Sequence, residues 1–396
     1  MLRLEVLPAG CGDCLWLEYG DRLPGRVVII DGGLRETAGV LRRRIDAARR
    51  ERGVETLEVE LLVVTHIDND HIVGIIELLR GIGPELRVKE LWFNGKPQLM
   101  RLPPAAARSP PALPTADPRA PDMMGGQTAS VAKAFAPADL LGRQQADELS
   151  ALLEKTGRAC NGRVPWLGGA VWLPDEGEPP VVTLEGGLRL TVLGPTLARL
   201  RKLCEVWGDV LGGKDEPARS RGPADLLGRK DNWPPVWKDG ETADGSAANG
   251  SSIALLAERE GHALLLAGDA YAGDLASAIA RVAALRGLPA GAPLPLDGFK
   301  LPHHASQNNL TKALMEAIDC ARFLVSTDGS MHRHPDHQAL LRVLKYARRK
   351  PELMFNHDRE TTRPWREKKA DVLRHFRDYA TSYPEGPDAG AVLTLP

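Results

Sequence analysis

Cysteine is scarce in this chain: five in 396 residues. A thin, odd set excludes a disulfide-stapled extracellular framework, which needs paired cysteines at high density. Long apolar runs are missing as well. No uncharged stretch approaches the ~18–20 residues that cross a bilayer. The opening "MLRLEVLPAGCGDCLWLEYG" places charges where a secretion signal would run unbroken. Excess charge of either sign is also lacking, since 51 Lys and Arg oppose 52 Asp and Glu. Bulk electrostatics therefore draws the chain neither to nucleic acid nor to membrane, and any such contact needs a local patch. A cytoplasmic protein is expected. With 43% hydrophobic residues, the chain can bury the core of one large α/β unit with insertions.

Cys11 and Cys14 form a C-x-x-C, but it leads into a period-2 strand rather than a helix, and no second pair completes a zinc knuckle. Two small half-buried residues at a turn are the simpler reading. Strands are expected over 2–7, 14–19 and 26–31, with "GDRLPG" as the turn between the last two. A helix follows over about 35–52, carrying Val40, Leu41, Ile45 and Ala48 on one stripe. The opposite face, with Arg42, Arg43, Arg44, Arg49 and Arg50, reads as solvated or as a basic patch. "VELLVV" (59–64) is a buried strand, 71–83 a helix and 87–93 a strand, which is an α/β rhythm.

Composition then shifts. Residues 97–180 begin with a Pro- and Ala-rich stretch and contain a short helix within 139–157; 205–248 form a second irregular segment bearing Trp207, Trp233 and Trp237. Both are read as insertions, the tryptophans either lining a cleft or anchoring loops. Later strands are expected over 180–195, 251–258, 262–269, 298–301, 322–327 and 353–356. Helices are expected over 271–285, 310–318 and 336–349. Residues 357–396 supply a basic helix (365–380) and a closing strand (391–395). The whole reads as one domain of two sheets back to back with helices outside.

The chemistry concentrates in "THIDNDH" (65–71), where a buried strand turns into a helix. His66, Asp68, Asp70 and His71 crowd that edge. Two carboxylates this close would repel in a poor dielectric unless a cation sits between them. A helix N-cap needs one of them at most. Asp269 in "LLLAGD", His303 and His304 in "LPHHAS", and His334 in "HRHPDH" each follow other strands. In an α/β sheet such strand ends collect at one functional edge.

Here the chain resembles the metallo-β-lactamase fold superfamily, with its αββα sandwich and H-x-H-x-D-H motif. The matches are His66, Asp70 and His71, then Asp269, then His303 or His304. It is similar in particular to the ComEC-type metallo-hydrolase branch. "GCGDCLWLEY…VVIIDGG", "THIDNDHIVG", "NGSSIALL…LLLAGD", "LPHHAS" and the "HP" at 334–335 resemble that branch's blocks. The resemblance covers about 5–80 and 249–340, without the membrane channel of those proteins. It implies a four-layer αββα sandwich of two mixed β-sheets with inserted loops, and two divalent metal ions. One ion would use His66, Asp68 and Asp269, with Asn249 a weak addition. The other would use Asp70, His71, Asp269 and one histidine of 303/304, His303 being assigned the ligand place. Asp68 replaces a histidine of the commoner motif, and Asn249 stands where another histidine might be. Imidazole exchanged for oxygen favours harder ions, so Zn²⁺ or Mn²⁺ is expected, with Mg²⁺ possible at the first site.

Paired cations lower the pKa of water towards about 7 for attack on phosphorus or a carbonyl. Asp70 would orient that water, and His304 or His334 would hydrogen-bond or protonate the substrate. Asn249, Ser306 and Asn308 are candidate substrate contacts, because "ASQNN" offers amides and a helix N-terminus suited to phosphate. A phosphodiesterase, most readily a nuclease, is the leading expectation, with arginines at 35–52, 219–221 and 348–350 in support. A hydrolase of a small ester, lactone or cyclic nucleotide is the alternative. A non-catalytic binding module on a decayed scaffold is the third, with Asn249 its best support. The resemblance also suggests partner proteins of a defence-type system; nothing in the residues reads out an oligomeric state.

Overall fold

A computed structural model describes residues 1–103, 137–158, 160–162, 169–208, 233–386 and 389–396. Two mixed sheets face each other. The first has six strands in the order Ala391–Leu395, Leu2–Val6, Leu15–Tyr19, Arg26–Ile30, Leu61–Val63 and Leu91–Trp92. The second has eight, in the order Ala380–Ser382, Glu352–Phe355, Arg322–Val325, Gly298–Lys300, His262–Leu266, Ala254–Arg259, Arg189–Gly194 and Val181–Thr183.

The period of two along the strands explains the layering. In Leu15–Tyr19 the residues Leu15, Leu17 and Tyr19 turn inward to meet Leu190, Val192, Leu255 and Leu264 of the facing sheet. Trp16 turns the other way, onto the layer holding Leu41 and Ile45 of the helix Thr37–Arg52 and Ile72, Ile75 and Ile76 of the helix Asn69–Gly81. Beyond the second sheet, Leu275, Ile279 and Val282 of the helix Ala272–Leu285 and Leu340 and Leu344 of the helix His337–Tyr346 cover Phe299, Phe323 and Phe355. Helix, sheet, sheet, helix is the four-layer order the metallo-β-lactamase fold requires.

Several local expectations are corrected. "VELLVV" does not form one strand. Leu57–Val59 pairs with Leu86–Val88 in a separate ribbon, and only Leu61–Val63 enters the main sheet, the break falling at Glu60. The basic segment 365–380 is two short helices, Pro364–Glu367 and Lys369–Leu373, followed by an edge strand, Ala380–Ser382. The closing strand Ala391–Leu395 returns to the first sheet and pairs antiparallel with Leu2–Val6. The helix Pro137–Thr156 packs Ala146, Leu149 and Leu153 against the first sheet's outer layer, so that part of the insertion is core.

Three arginines of the first helix are used internally, while Arg43 and Arg50 are exposed. Arg44 is paired with Glu5 and Glu18 and lies over Trp16, Arg42 donates to the carbonyls of Glu77 and Gly81, and Arg52 pairs with Glu18. Arg349 and Lys350 are likewise paired, with Asp319 and Asp378. Residues 219–221 lie outside the described residues. Cys11 and Cys14 are fully rather than half buried and unbridged, and burial pushes both thiols up, Cys11 to about 12. Neither supplies a thiolate at neutral pH. Among the described residues no helix is long and apolar enough to cross a membrane.

Candidate metal centre

The ends of several strands meet at one edge. Arg26–Ile30 runs parallel to Leu61–Val63, so Asp31 and the Thr65–His66 pair emerge together. His262–Leu266, Gly298–Lys300 and Arg322–Val325 are also mutually parallel and deliver Asp269, His303–His304 and Ser326. Two close approaches make this possible. Gly12 lies so near Asp70 that a Cβ would sit 1.9 Å from the Asp70 carbonyl oxygen. Gly268 adopts φ +53° beside Thr65, a left-handed turn that carries the strand into Asp269. His303, His304 and Ala305 hold three successive positive φ values, 48°, 52° and 63°. Strain of this kind in non-glycine residues persists where the surroundings enforce it, commonly at functional sites.

Asp269 Oδ2 is the centre of the group. It lies 3.4 Å from His71 Nε2, 3.7 Å from His304 Nε2, and 3.9 Å from both His66 Nε2 and His303 Nε2. Asp68 Oδ2 is 3.6 Å from His66 Nε2, and Asp70 Oδ2 is 3.2 Å from His304 Nε2. His66, His71, Asp269 and His304 are almost fully buried.

The other ring nitrogens fix which atom faces inward. His71 Nδ1 is 2.8 Å from Asp31 Oδ2, His304 Nδ1 is 2.8 Å from the Ser326 carbonyl, and His303 Nδ1 is 2.8 Å from Asn309 Oδ1. All three partners only accept, so each Nδ1 carries a proton and donates. His66 Nδ1 is 3.0 Å from Thr65 Oγ1, whose own proton goes to Asp31 Oδ2 at 2.7 Å. His66 Nδ1 therefore donates as well. All four rings present Nε2 to Asp269. Partners of this kind hold metal-ligating histidines in one tautomer and orientation.

Without a cation this arrangement is poorly satisfied. His71 Nε2 and His304 Nε2 are 3.3 Å apart. His66 Nε2, Asp68 Oδ1, Asn249 Oδ1 and Asp269 Oδ1 are buried with no hydrogen-bond partner among the described residues. Orphaned buried atoms are costly, and inward imidazole and carboxylate donors are what a divalent ion takes. The residues fit the group. Two triads, His66–His71–Asp269 and Asp70–His71–His304, bring ligand atoms within 4.8 Å of one another.

Charge follows the same pattern. Burial acts against the His71 cation, but Asp269, Asp31 and Asp70 outweigh it and raise the ring's pKa well above its usual value. His304 is raised to about 10 and His303 to about 9, both with Asp269 as the largest opposing charge to burial. Burial would raise Asp70 and Asp269, yet the facing histidines hold both well below the usual carboxylate range. Metal-free at pH 7.5, these histidines carry protons that a cation must displace. Loading with Zn²⁺ or Mn²⁺ is expected to release protons at pH 7.5 and progressively fewer as pH passes about 10. Titration calorimetry in buffers of different ionisation enthalpy reads this release, and apparent affinity rises with pH over the same range.

The sequence-expected residues divide as follows. His66, Asp68, Asp70, His71, Asp269 and His304 converge. His303 stands at the rim with its ring partly exposed, and Asp244 Oδ2 lies 3.4 Å from its Nδ1. His334 stacks edge-on to His303 at 5.5 Å between centroids and lies 3.5 Å from Asp336. Asn249 donates through Nδ2 to Asp244 at 2.7 Å. Ser306 is buried, with Oγ accepting from the Asn308 amide, and Asn308 Oδ1 accepts from Thr242. "ASQNN" is not a helix N-terminus. The helix starts only at Lys312, capped by Thr311, and 305–309 is a turn closed by Ser306 N donating to His303 O at 2.7 Å.

Sequence reasoning passed over the residues that orient the four histidines: Asp31, Thr65 and Ser326 for His71, His66 and His304, and Asp244 and Asn309 for His303. It also passed over Asp13, which pairs with the buried Lys300 beside His304. A lone lysine inside the apolar strand "GFKL" was the available signal for that pair.

Residues 12–145 match the model of the metallo-beta-lactamase superfamily. No curated protein matches. Among solved structures the chain is similar to a point mutant of the CmlA beta-hydroxylase, at 12% identity and a TM-score of 0.36. The likeness covers 99% of this chain and 54% of that one, so this chain spans about half its length. Residues 12–145, which include His66, Asp68, Asp70 and His71, are thus similar to the metallo-beta-lactamase superfamily, and the two facing sheets are consistent with that fold.

Proposed function

We propose that the chain is a metal-dependent hydrolase of phosphodiesters, working with two divalent cations, Zn²⁺ or Mn²⁺, with Mg²⁺ a further candidate at the first site. The observation that carries this reading is the convergence of four Nε2 atoms on Asp269 Oδ2, with the Asp68 carboxylate beside His66 and the Asp70 carboxylate beside His304. His66, Asp68 and Asp269 would hold one cation; Asp70, His71, His304 and Asp269 would hold the other. This reading gives His304 the ligand place that the sequence assigned to His303. Bound, the cations supply Lewis acidity and a lowered water pKa.

The chain's own groups do the rest. Asp70 is the more exposed carboxylate of the second set and orients the attacking water. His303, its Nδ1 proton held by Asn309, offers Nε2 to a substrate oxygen, with His334 stacked behind it. Oxygen-rich ligation at the first site suits phosphoryl chemistry, and the ComEC-type resemblance of the motifs supports a nuclease. The internal pairing of Arg42, Arg44 and Arg52 takes three cations off the basic face of the helix 37–52, which favours a short or single-stranded phosphodiester over a long duplex.

The test is a matrix of Zn²⁺, Mn²⁺ and Mg²⁺ against single- and double-stranded DNA, RNA and bis-p-nitrophenyl phosphate. Hydrolysis of bis-p-nitrophenyl phosphate and of single strands is expected. A fully loaded protein that cleaves none of these, or only a carboxylic ester, would overturn the proposal.

A further inference from the structure

A cavity of about 490 Å³ opens beside the metal centre and is not part of it. Its walls come from four places: Trp233 and Lys238 of the second insertion, Gln307, the turn His332–His337, and the segment Glu360–Lys368. The cavity reaches the centre through a short relay of side chains. Asp336 and Gln307 line it, Asp336 lies 3.5 Å from His334, and His334 stacks on His303. Its volume falls in the range of small-ligand sites, about 300–1,000 Å³, too small for a duplex and large enough for a nucleotide-sized fragment.

Three cations and two carboxylates line it. Lys238, Arg333 and Lys368 face Asp336 and Glu360. Asp336 is already spent on the Gln307 amide at 2.8 Å and on His334, and Glu360 is largely exposed and reaches Arg333 only at 3.7 Å. Lys238 and Lys368 are exposed, with no ion pair to a carboxylate among the described residues. The turn that delivers Arg333 is strained, with φ +53° at His332 and +56° at Arg333. Two adjacent left-handed non-glycine residues are costly, and they aim His332 and Arg333 at this cavity. Trp233 adds an aromatic wall, braced edge-on by His337 and Trp365.

We propose that this cavity is a subsite for the phosphate and base of the nucleotide next to the scissile bond. The site then prefers a phosphodiester bearing a second phosphate one nucleotide away. The inference rests on the phosphodiesterase reading for its purpose but not for its binding test. Thymidine 3′,5′-bisphosphate is titrated calorimetrically into the Mn²⁺-loaded chain, into Lys238→Glu, and into Lys368→Glu. Both lysines are exposed and off the centre, so folding and metal content are expected to hold and are checked by thermal melting and metal analysis.

Binding to the wild type, weakened about tenfold in each variant, is the expected result, since each reversal removes a charge-assisted contact to phosphate. Equal affinity in all three proteins, or no binding to the wild type, would overturn the subsite. The p-nitrophenyl ester of the same bisphosphate then tests turnover. Tight binding without hydrolysis would sink the phosphodiesterase reading and leave the subsite standing. Hydrolysis with a KM equal to that of bis-p-nitrophenyl phosphate would do the reverse.

Discussion

Asp269→Asn is expected to lower phosphodiester hydrolysis by at least about a thousandfold and to strip the chain of most of its bound metal. Asp269 Oδ2 is the one atom facing all four inward Nε2 atoms, at 3.4 to 3.9 Å. An amide keeps the shape and removes the charge that would bridge two cations. A loss of several kcal/mol of charge stabilisation corresponds to three or more factors of ten in rate. The metal-free protein gives a second readout. His303 and His304 have folded pKa values raised to about 9 and about 10, chiefly by Asp269 against burial. A raised value means that the protonated ring stabilises the fold below its unfolded pKa of about 6.5, and that this stabilisation is lost as pH climbs through 9–10. Asp269→Asn should therefore destabilise the metal-free chain most near pH 6 and least near pH 10. Urea unfolding at both pH values checks the sign; a gap that widens with pH would contradict it.

Lys300→Met is expected to cost about 3–5 kcal/mol of stability, among the largest effects of any single change away from the ligands. Lys300 and Asp13 form a fully buried ion pair between facing sheets. Burial pushes the Asp13 carboxyl up, but Lys300 and then His304 outweigh it and hold it at about 2. Removing the lysine leaves that charge stranded in the interior, 3.4 Å from His304 Nδ1. Replacing both partners, as Asp13→Leu with Lys300→Met, should recover much of the loss, because no unpaired charge remains. Denaturant unfolding of the two variants separates the outcomes. Equal instability in both would place the effect in packing rather than in charge.

Much of this centre could be read from the residues, for a physical reason. Histidine and carboxylate side chains are prominent among the ligands of a buried divalent cation, and in an α/β sheet functional groups of this kind fall at strand ends. "THIDNDH", "AGD" and "PHH" therefore announce themselves without a structure. What could not be read is which of two adjacent histidines turns inward. His303 and His304 differ only by one step along a left-handed turn, and the carbonyl of Ser326, 22 residues away, holds His304 in place. The outer partners stayed hidden for the same reason. Asp31 meets His71 across 40 residues, and Asp244 reaches His303 from the end of the second insertion, contacts that local pattern does not encode. The sheets were legible from period-two alternation, whereas the break at Glu60 and the edge strand Ala380–Ser382 depend on which partner each short stretch finds. The pairing of Arg44 and Arg52 with Glu5 and Glu18 stayed hidden because ion pairing across the fold is a tertiary event.

The most direct test of the two-cation centre is metal stoichiometry by elemental analysis, with electron paramagnetic resonance of the Mn²⁺-loaded chain. Wild type, His304→Ala, His303→Ala and Asp68→Ala are compared. Two ions per chain with a spin-coupled signal are expected for the wild type. His304→Ala should fall to one ion or fewer, His303→Ala should keep two, and Asp68→Ala should lose the ion held by His66. A wild-type chain that binds no metal, or whose binding survives His304→Ala but not His303→Ala, would contradict the centre drawn here.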